Sequence, residues 1–190
     1  MDWEERLKVA VLGAASVAEN SEEGQKSFQV GKIIAHRGAA LLTGGCPGLP
    51  HAAACGARSA RGLTVAVSPA MNREEHVRVY GYPLDSEIVL FTGMGTKGRN
   101  VVLVRSADAC VFIGGGMGTL NEFTIAVADL GRRAAIGILT GTGGLSDELP
   151  RLVSLAGQFP RARFVVDADP IRLLQTVFGH LRETLCRQVL

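Results

Sequence analysis

The residues best suited to chemistry lie in one stretch, Asp108-Ala-Cys-Val-Phe-Ile-Gly114-Gly115-Gly116-Met117-Gly118-Thr119-Leu-Asn-Glu122. Ala109 to Ile113 is a short apolar run with the length of a buried strand. Glycines follow, then a segment that reads as helix from Thr119 to about Leu130. Strand, glycine turn and helix start aim backbone N–H groups and the positive end of a helix dipole at one point. Glycine allows the tight turn and the close approach of a ligand to the main chain. The chemistry predicted is anion binding, with a phosphate held at Gly115, Gly116, Met117, Gly118 and Thr119. No lysine follows the glycines, so this is not the G-x-x-x-x-G-K-[ST] loop of nucleoside triphosphatases. The same letters also spell a capping box, with Thr119 at N-cap and Glu122 at N3, and such a junction needs no ligand.

Arg99 falls at the predicted start of the helix before this strand, a poor place for a cation beside the helix dipole. A guanidinium there makes more sense facing an anion or a carboxylate. The plainer alternatives are a solvated surface arginine or a pair with Asp108, and Arg105 reads as surface. Gly93-x-Gly95-x-x-Gly98 spells the dinucleotide fingerprint, but it follows the fourth strand rather than the first and lacks the acidic residue about twenty positions on. Cys46, His51 and Cys55 match no standard zinc spacing and show no fourth ligand, so helix packing is their predicted role and no metal is expected.

The elements that must position these groups alternate along the chain. Strands are predicted at Leu7–Leu12, Ala39–Leu42, Leu63–Val67, Glu87–Phe91, Ala109–Ile113, Ala134–Leu139 and Phe164–Val166. The intervening helices start from Asn20 or Ser21, Pro50, about Arg99, Thr119, Ser146 and Asp169-Pro170, the last running to about Arg187. Pro69 to Pro83 reads as the longest irregular loop, a length that is often functional or mobile. Continuous apolar strands alternating with helices mean a parallel sheet covered on both faces, with right-handed crossovers. Ligands in such folds bind beyond the carboxyl ends of the strands, at the switch in strand order. Gly13–Ser16, Gly44–Gly48, Gly93–Gly98 and Gly114–Thr119 all follow strands and are expected to converge there.

The 190 residues fit one domain, with 47 % hydrophobic and 20 % charged residues. A net charge of +2 without a dense basic block gives little for nucleic acid or an anionic membrane to hold. No apolar run has the length of a membrane span. The acidic opening Met1-Asp2-Trp3-Glu4-Glu5 is unlike a secretory signal, and Cys46, Cys55, Cys110 and Cys186 are scattered. They read as reduced thiols of a cytoplasmic protein.

Gly115-Gly116-Met117-Gly118-Thr119-x-x-Glu122 resembles the P-G-G-x-G-T-x-x-E signature of the Lonely Guy (LOG) family, once misnamed lysine decarboxylases. Arg99, Asp108 and Glu122 are similar to that family's R…D…E series in type and spacing. Thr43-Gly44-Gly45-x-x-Gly48-Leu49 resembles its Y-G-G-G-x-x-G-L-M turn, and Gly13-Ala14-Ala15-Ser16 its first G-S-S loop. The molybdenum cofactor carrier-like proteins, a sister branch, resemble the chain equally or better, since they share an R-N-x-x-L run, here Arg99-Asn100-Val-Val-Leu103. The likeness runs from about Lys8 to Leu139; it departs at Gly114, where the signature has proline, and at Cys46-Pro47 and Leu49-Pro50.

The resemblance implies a three-layer, Rossmann-like α/β domain over residues 1–190, its mostly parallel sheet of about seven strands flanked by helices on both faces. It implies a phosphoribohydrolase that splits the N-glycosidic bond of a nucleoside 5′-monophosphate. Glu122 would stabilise the oxocarbenium-like state or activate water, and Arg99 would hold Glu122 ionised or bind the ligand. Ser16, Gly44, Gly45, Gly48, Gly115, Gly116, Met117, Gly118 and Thr119 would bind the phosphorylated ligand, with no cofactor required. The alternative, motivated by the departures, is a protein that carries molybdenum cofactor or a nucleotide without turnover. A third reading, single-stranded DNA loading as in a DNA-processing family with a related domain, is disfavoured by the modest charge and 5 % aromatic content. Family members are commonly oligomeric, which implies at least a homodimer, with the helix after Glu122 and the Ile171–Leu185 segment as candidate interfaces.

Overall fold

The central strands are apolar along their whole length, and both of their faces are buried in the computed structural model, which describes residues 6–186. The elements in chain order are β1 (Lys8–Gly13), α1 (Glu22–His36), β2 (Ala40–Thr43), α2 (Leu49–Ser59), β3 (Thr64–Ser68), α3 (Arg73–Arg78), β4 (Ile88–Phe91) and α4 (Gly95–Arg105). They continue with β5 (Ala109–Ile113), α5 (Met117–Asp129), β6 (Ala135–Leu139), a 3-10 turn (Gly144–Glu148), α6 (Leu149–Ala156), β7 (Arg163–Asp167) and α7 (Pro170–Cys186).

All seven strands join one parallel sheet in the order β4-β3-β2-β1-β5-β6-β7. Alternate residues of each strand feed opposite cores, as the period of two requires. Val9, Val11, Val111 and Ile113 pack with Val30 and Ile34 of α1, Ala53 of α2 and Val177 of α7. Ala10, Leu12, Cys110 and Phe112 pack with Leu103 of α4, Phe123 of α5 and Val153 of α6. The result is three layers, with helices on both faces of the sheet. The chain runs outward from β1 to β4, then returns to place β5 on the other side of β1. The switch point therefore lies between β1 and β5, paired from Val9↔Ala109 to Gly13↔Ile113, and their following turns diverge around a crevice.

Local signals account for most helix ends. Ser21 caps α1 by accepting from the Gly24 amide at 3.1 Å. The Asp169 carboxylate accepts from Ile171 and Arg172 ahead of Pro170 in the first turn of α7. Several expectations need correction. The Pro69–Pro83 segment contains α3, capped by Asn72. Helix α4 begins at Gly95, so Arg99 lies inside it rather than at its start. Gly116, not Thr119, is the N-cap of α5, so Thr119 and Glu122 form no capping box. Ser146 sits in the 3-10 turn and does not cap α6. The opening Met1–Glu5 and the expected helix limit at Arg187 fall outside the described residues. Among the described residues no helix is long and apolar enough to cross a membrane, and all four cysteines are free thiols.

Candidate functional site

The crevice at the switch point opens into a cleft of about 530 Å³. Gly13 to Val17 after β1 form one wall, and Gly115, Gly116, Gly118, Thr119 and Glu122 another. Thr96, Lys97, Arg99 and Asn100 of α4 and Tyr82 close the far side.

The cradle after β5 is braced from behind. The Gly114 amide donates to Thr142 Oγ1 at 3.0 Å, and the Gly114 and Gly115 carbonyls accept from Ser146 and Leu145. Gly114 has φ +58°, a left-handed conformation, and proline could supply neither that φ nor that N–H. The departure from the proline of the signature thus has a backbone reason. Gly116 then caps α5 without a side-chain bond. The first backbone bond of the helix is Leu120 N–H to the Gly116 carbonyl, so the amides of Met117, Gly118 and Thr119 find no protein acceptor among the described residues. Gly118 and Thr119 line the cleft, and the positive end of the α5 dipole lies there with them, where an anion would complete the open amides.

Arg99 supplies the cation. It is only 4 % exposed, and its Nη1 donates to the Val67 carbonyl at the end of β3, 3.0 Å away. The guanidinium lies over Gly44, where a Cβ would stand 1.9 Å from Nη1. The plainer readings of Arg99 are thereby excluded: it is neither solvated nor paired with Asp108, which bonds Lys8 at 3.0 Å.

Glu122 is 8 % exposed. With the Asn100 amide oriented to satisfy its neighbours, its nitrogen donates to Glu122 Oε1 at 3.1 Å and to the Thr96 carbonyl at 2.9 Å. Burial raises the Glu122 carboxyl to about 7, against the opposing pull of Arg99 and Lys97. Arg99 therefore does not hold Glu122 firmly ionised, as the family resemblance implies; the two act through space, with no direct ion pair among the described residues. Burial likewise pushes the Cys46 thiol up to about 11 and raises the Tyr82 phenol, so both are neutral donors at physiological pH.

The sequence-predicted residues divide into two groups. Ser16, Gly115, Gly116, Gly118, Thr119, Arg99 and Glu122 line the cleft together. Met117 does not line the cleft and is 72 % exposed, at the first position of α5. Gly44, Gly45 and Gly48 do not line it: they pack against Arg99, His76 and the Ala14 and Ala15 carbonyls. Tyr82, Lys97, Thr96, Cys46 and Thr142 are cleft residues that sequence reasoning missed. Tyr82 arrives because His76, fully buried in α3, anchors the segment. His76 Nε2 donates to the Pro83 carbonyl at 2.9 Å, so its Nδ1 accepts from Ser68 Oγ at 2.8 Å. No local pattern announces that contact.

Comparison with known proteins agrees with this architecture. Residues 6–150 match the SLOG cluster4 family. An uncharacterized protein of Archaeoglobus fulgidus is 35 % identical over 130 residues, 68 % of this chain and 80 % of the relative. The Moco carrier protein of Chlamydomonas reinhardtii superposes with a TM-score of 0.72 at 28 % identity, over 94 % of this chain and 99 % of its own. The molybdenum cofactor binding protein of Rippkaea orientalis gives 0.71 at 25 % identity, over 93 % and 98 %.

Proposed function

Because the chain belongs to the SLOG cluster4 family, we propose that it binds a phosphorylated small molecule of the molybdenum cofactor class and carries it without turnover. The observation that supports this most is the open N-terminus of α5 set beside buried Arg99. A phosphate dianion there would accept from the Met117, Gly118 and Thr119 amides and from the guanidinium, a strong charge-assisted set. The remaining ring system would extend along the cleft toward Tyr82 and Cys46. A protonated Glu122 would donate to the ligand instead of repelling it, which its raised pKa favours. The likeness to the Chlamydomonas carrier over nearly the whole of both chains supports this ligand class.

One observation favours a second reading, hydrolysis of a nucleoside 5′-monophosphate. A buried carboxyl at about 7 is poised for general acid–base work, and Arg99 stands near it. Water would add hydroxide to the anomeric carbon and a proton to the departing base, with Glu122 relaying that proton. The test sets both readings side by side. Thermal shift and calorimetry are run with molybdenum cofactor released from a donor enzyme, with AMP, and with molybdate, alongside an assay of free base from AMP and CMP. Stabilisation by the cofactor with no base release is expected. Base release abolished in Glu122→Gln would replace the carrier by the hydrolase. Cytoplasmic residence and a homodimer or larger assembly belong to the same proposal; exposed Ile171 and Leu185 on α7 offer a surface for the latter, and light scattering in solution tests it.

A further inference from the structure

Outside the cleft, one cluster of side chains brings a histidine, a thiol and a carboxylate together. His51 and Cys55 stand four residues apart on α2 and project together, the spacing by which one helix supplies two ligands. Glu19, in the loop before α1, brings Oε1 to 2.6 Å from His51 Nδ1. Cys55 Sγ lies 4.0 Å from that nitrogen, and one ligand atom from each of the three residues falls within 4.8 Å of the others. The opposite ring nitrogen, Nε2, bonds Asp85 Oδ2 at 2.8 Å, and Asp85 is itself held by Arg58 at 2.6 Å.

The geometry points to a divalent transition-metal site, zinc by its chemistry, with His51 Nδ1, Glu19 Oε1 and Cys55 Sγ as ligands and water in the fourth position. Thiolate, imidazole and carboxylate together suit zinc, and three protein ligands with one open position are a known zinc arrangement. Asp85 provides what metal-bound imidazoles ordinarily have, a carboxylate on the second nitrogen that fixes the tautomer and raises its basicity. The Cys55 Sγ to His51 Nδ1 separation of 4.0 Å is close to that of two ligands on one ion, while Sγ stands nearer to Nε2, at 3.7 Å. To complete the set, Glu19 draws back from hydrogen-bond contact and Cys55 turns its thiol toward Nδ1.

Without metal, burial opposes the charged imidazole of His51, and the Asp85 and Glu19 carboxylates at its two ring nitrogens raise its pKa. The Cys55 thiol is raised by burial foremost, against the pull of Arg58, whose Nη2 donates to the sulfur at 3.3 Å, and with Glu19 and Asp85 adding to the rise. Metal displaces the Nδ1 proton and the thiol proton, releasing two protons to solvent, and no oxidation state changes. Binding therefore tightens as pH rises. The site ties together three parts of the chain that sequence separation keeps far apart, and it is independent of what the cleft binds.

The test is titration of the metal-free full chain with Co²⁺, read by absorption, followed by displacement with Zn²⁺. One equivalent is expected to give a thiolate-to-cobalt charge-transfer band that Zn²⁺ abolishes. The band should vanish in Cys55→Ser, survive in the cleft variant Cys46→Ser, and require about 10- to 100-fold more metal in Asp85→Asn. Glu19→Gln should weaken binding while keeping the band, a readout that stands if Cys55→Ser does not fold. Absence of the band in wild type, its persistence in folded Cys55→Ser, or its loss in Cys46→Ser alone overturns the assignment.

Discussion

Two glycine turns introduce helices with nearly the same spelling and do opposite things. After β2, Gly44-Gly45-x-x-Gly48 leads into α2; after β5, Gly115-Gly116-x-Gly118 leads into α5. Each helix has a glycine N-cap with no side-chain bond to it. In α2 the first amide, Leu49 N–H, donates to the Ala14 carbonyl at 2.9 Å, and Pro50 has no N–H to satisfy. Gly48 is pressed against the Ala14 and Ala15 carbonyls. Of its first three residues only His51 keeps an amide without a protein acceptor among the described residues, so this helix start is largely closed by the protein's own main chain. The start of α5 has no such neighbour among the described residues, and its amides stay open. A glycine turn before a helix therefore does not specify a binding site. What decides is whether a carbonyl from elsewhere in the fold reaches the amides first.

Substitutions can break this contrast, beginning with the largest effect. Gly48→Ala places a Cβ 2.4 Å from the Ala14 carbonyl oxygen at a residue with φ +78°. A stability loss of about 3 kcal/mol or more is expected in urea unfolding, whether or not ligand is present. Arg99→Ala removes the buried cation and should weaken ligand binding by about 2–3 kcal/mol, roughly 30- to 150-fold by calorimetry. Gly44→Ala should produce a similar loss by displacing the guanidinium, which shows that the closed turn serves the open one as its floor.

Burial raises Glu122 from 4.5 to about 7, so the folded protein keeps a proton there that the unfolded chain releases at lower pH. This group's contribution to stability is complete below pH 4.5 and is lost as pH rises toward 7. The wild-type-minus-Glu122→Gln difference in unfolding free energy should fall by on the order of 2–3 kcal/mol across that window. The smallest effect sharpens the comparison most. Gly118 has open space around it, so aspartate fits in the first turn of α5. Gly118→Asp should raise stability by about 0.3–1 kcal/mol through the helix dipole while reducing anion binding. Opposite signs in one variant are what an open anion site requires.

How much of this was legible in the sequence depends on how local each cause is. Ala109–Ile113 reads correctly because a strand buried on both faces must be apolar throughout. The Ser21 cap and the Asp169-Pro170 start read correctly because their bonds close within a few residues. Thr119 and Glu122 mislead because their spelling fits a cap, whereas Gly116 starts α5 earlier and turns Glu122 into the cleft. Arg99 is misplaced because Gly95 and Gly98 are weak helix formers, yet both lie inside α4. Tyr82 and Glu19 are invisible locally: one depends on the burial of His76, the other on His51 across 32 positions of sequence.

The central claim is that the α5 turn is open and the α2 turn is closed. Amide NMR of the uniformly labelled protein, titrated with phosphorylated ligand, tests it residue by residue. The account predicts that the Met117, Gly118 and Thr119 resonances shift to saturation with one equivalent while Leu49 does not move. Shifts centred on Leu49 and the β2 turn, or an α5 turn that stays silent under saturating ligand, would contradict it.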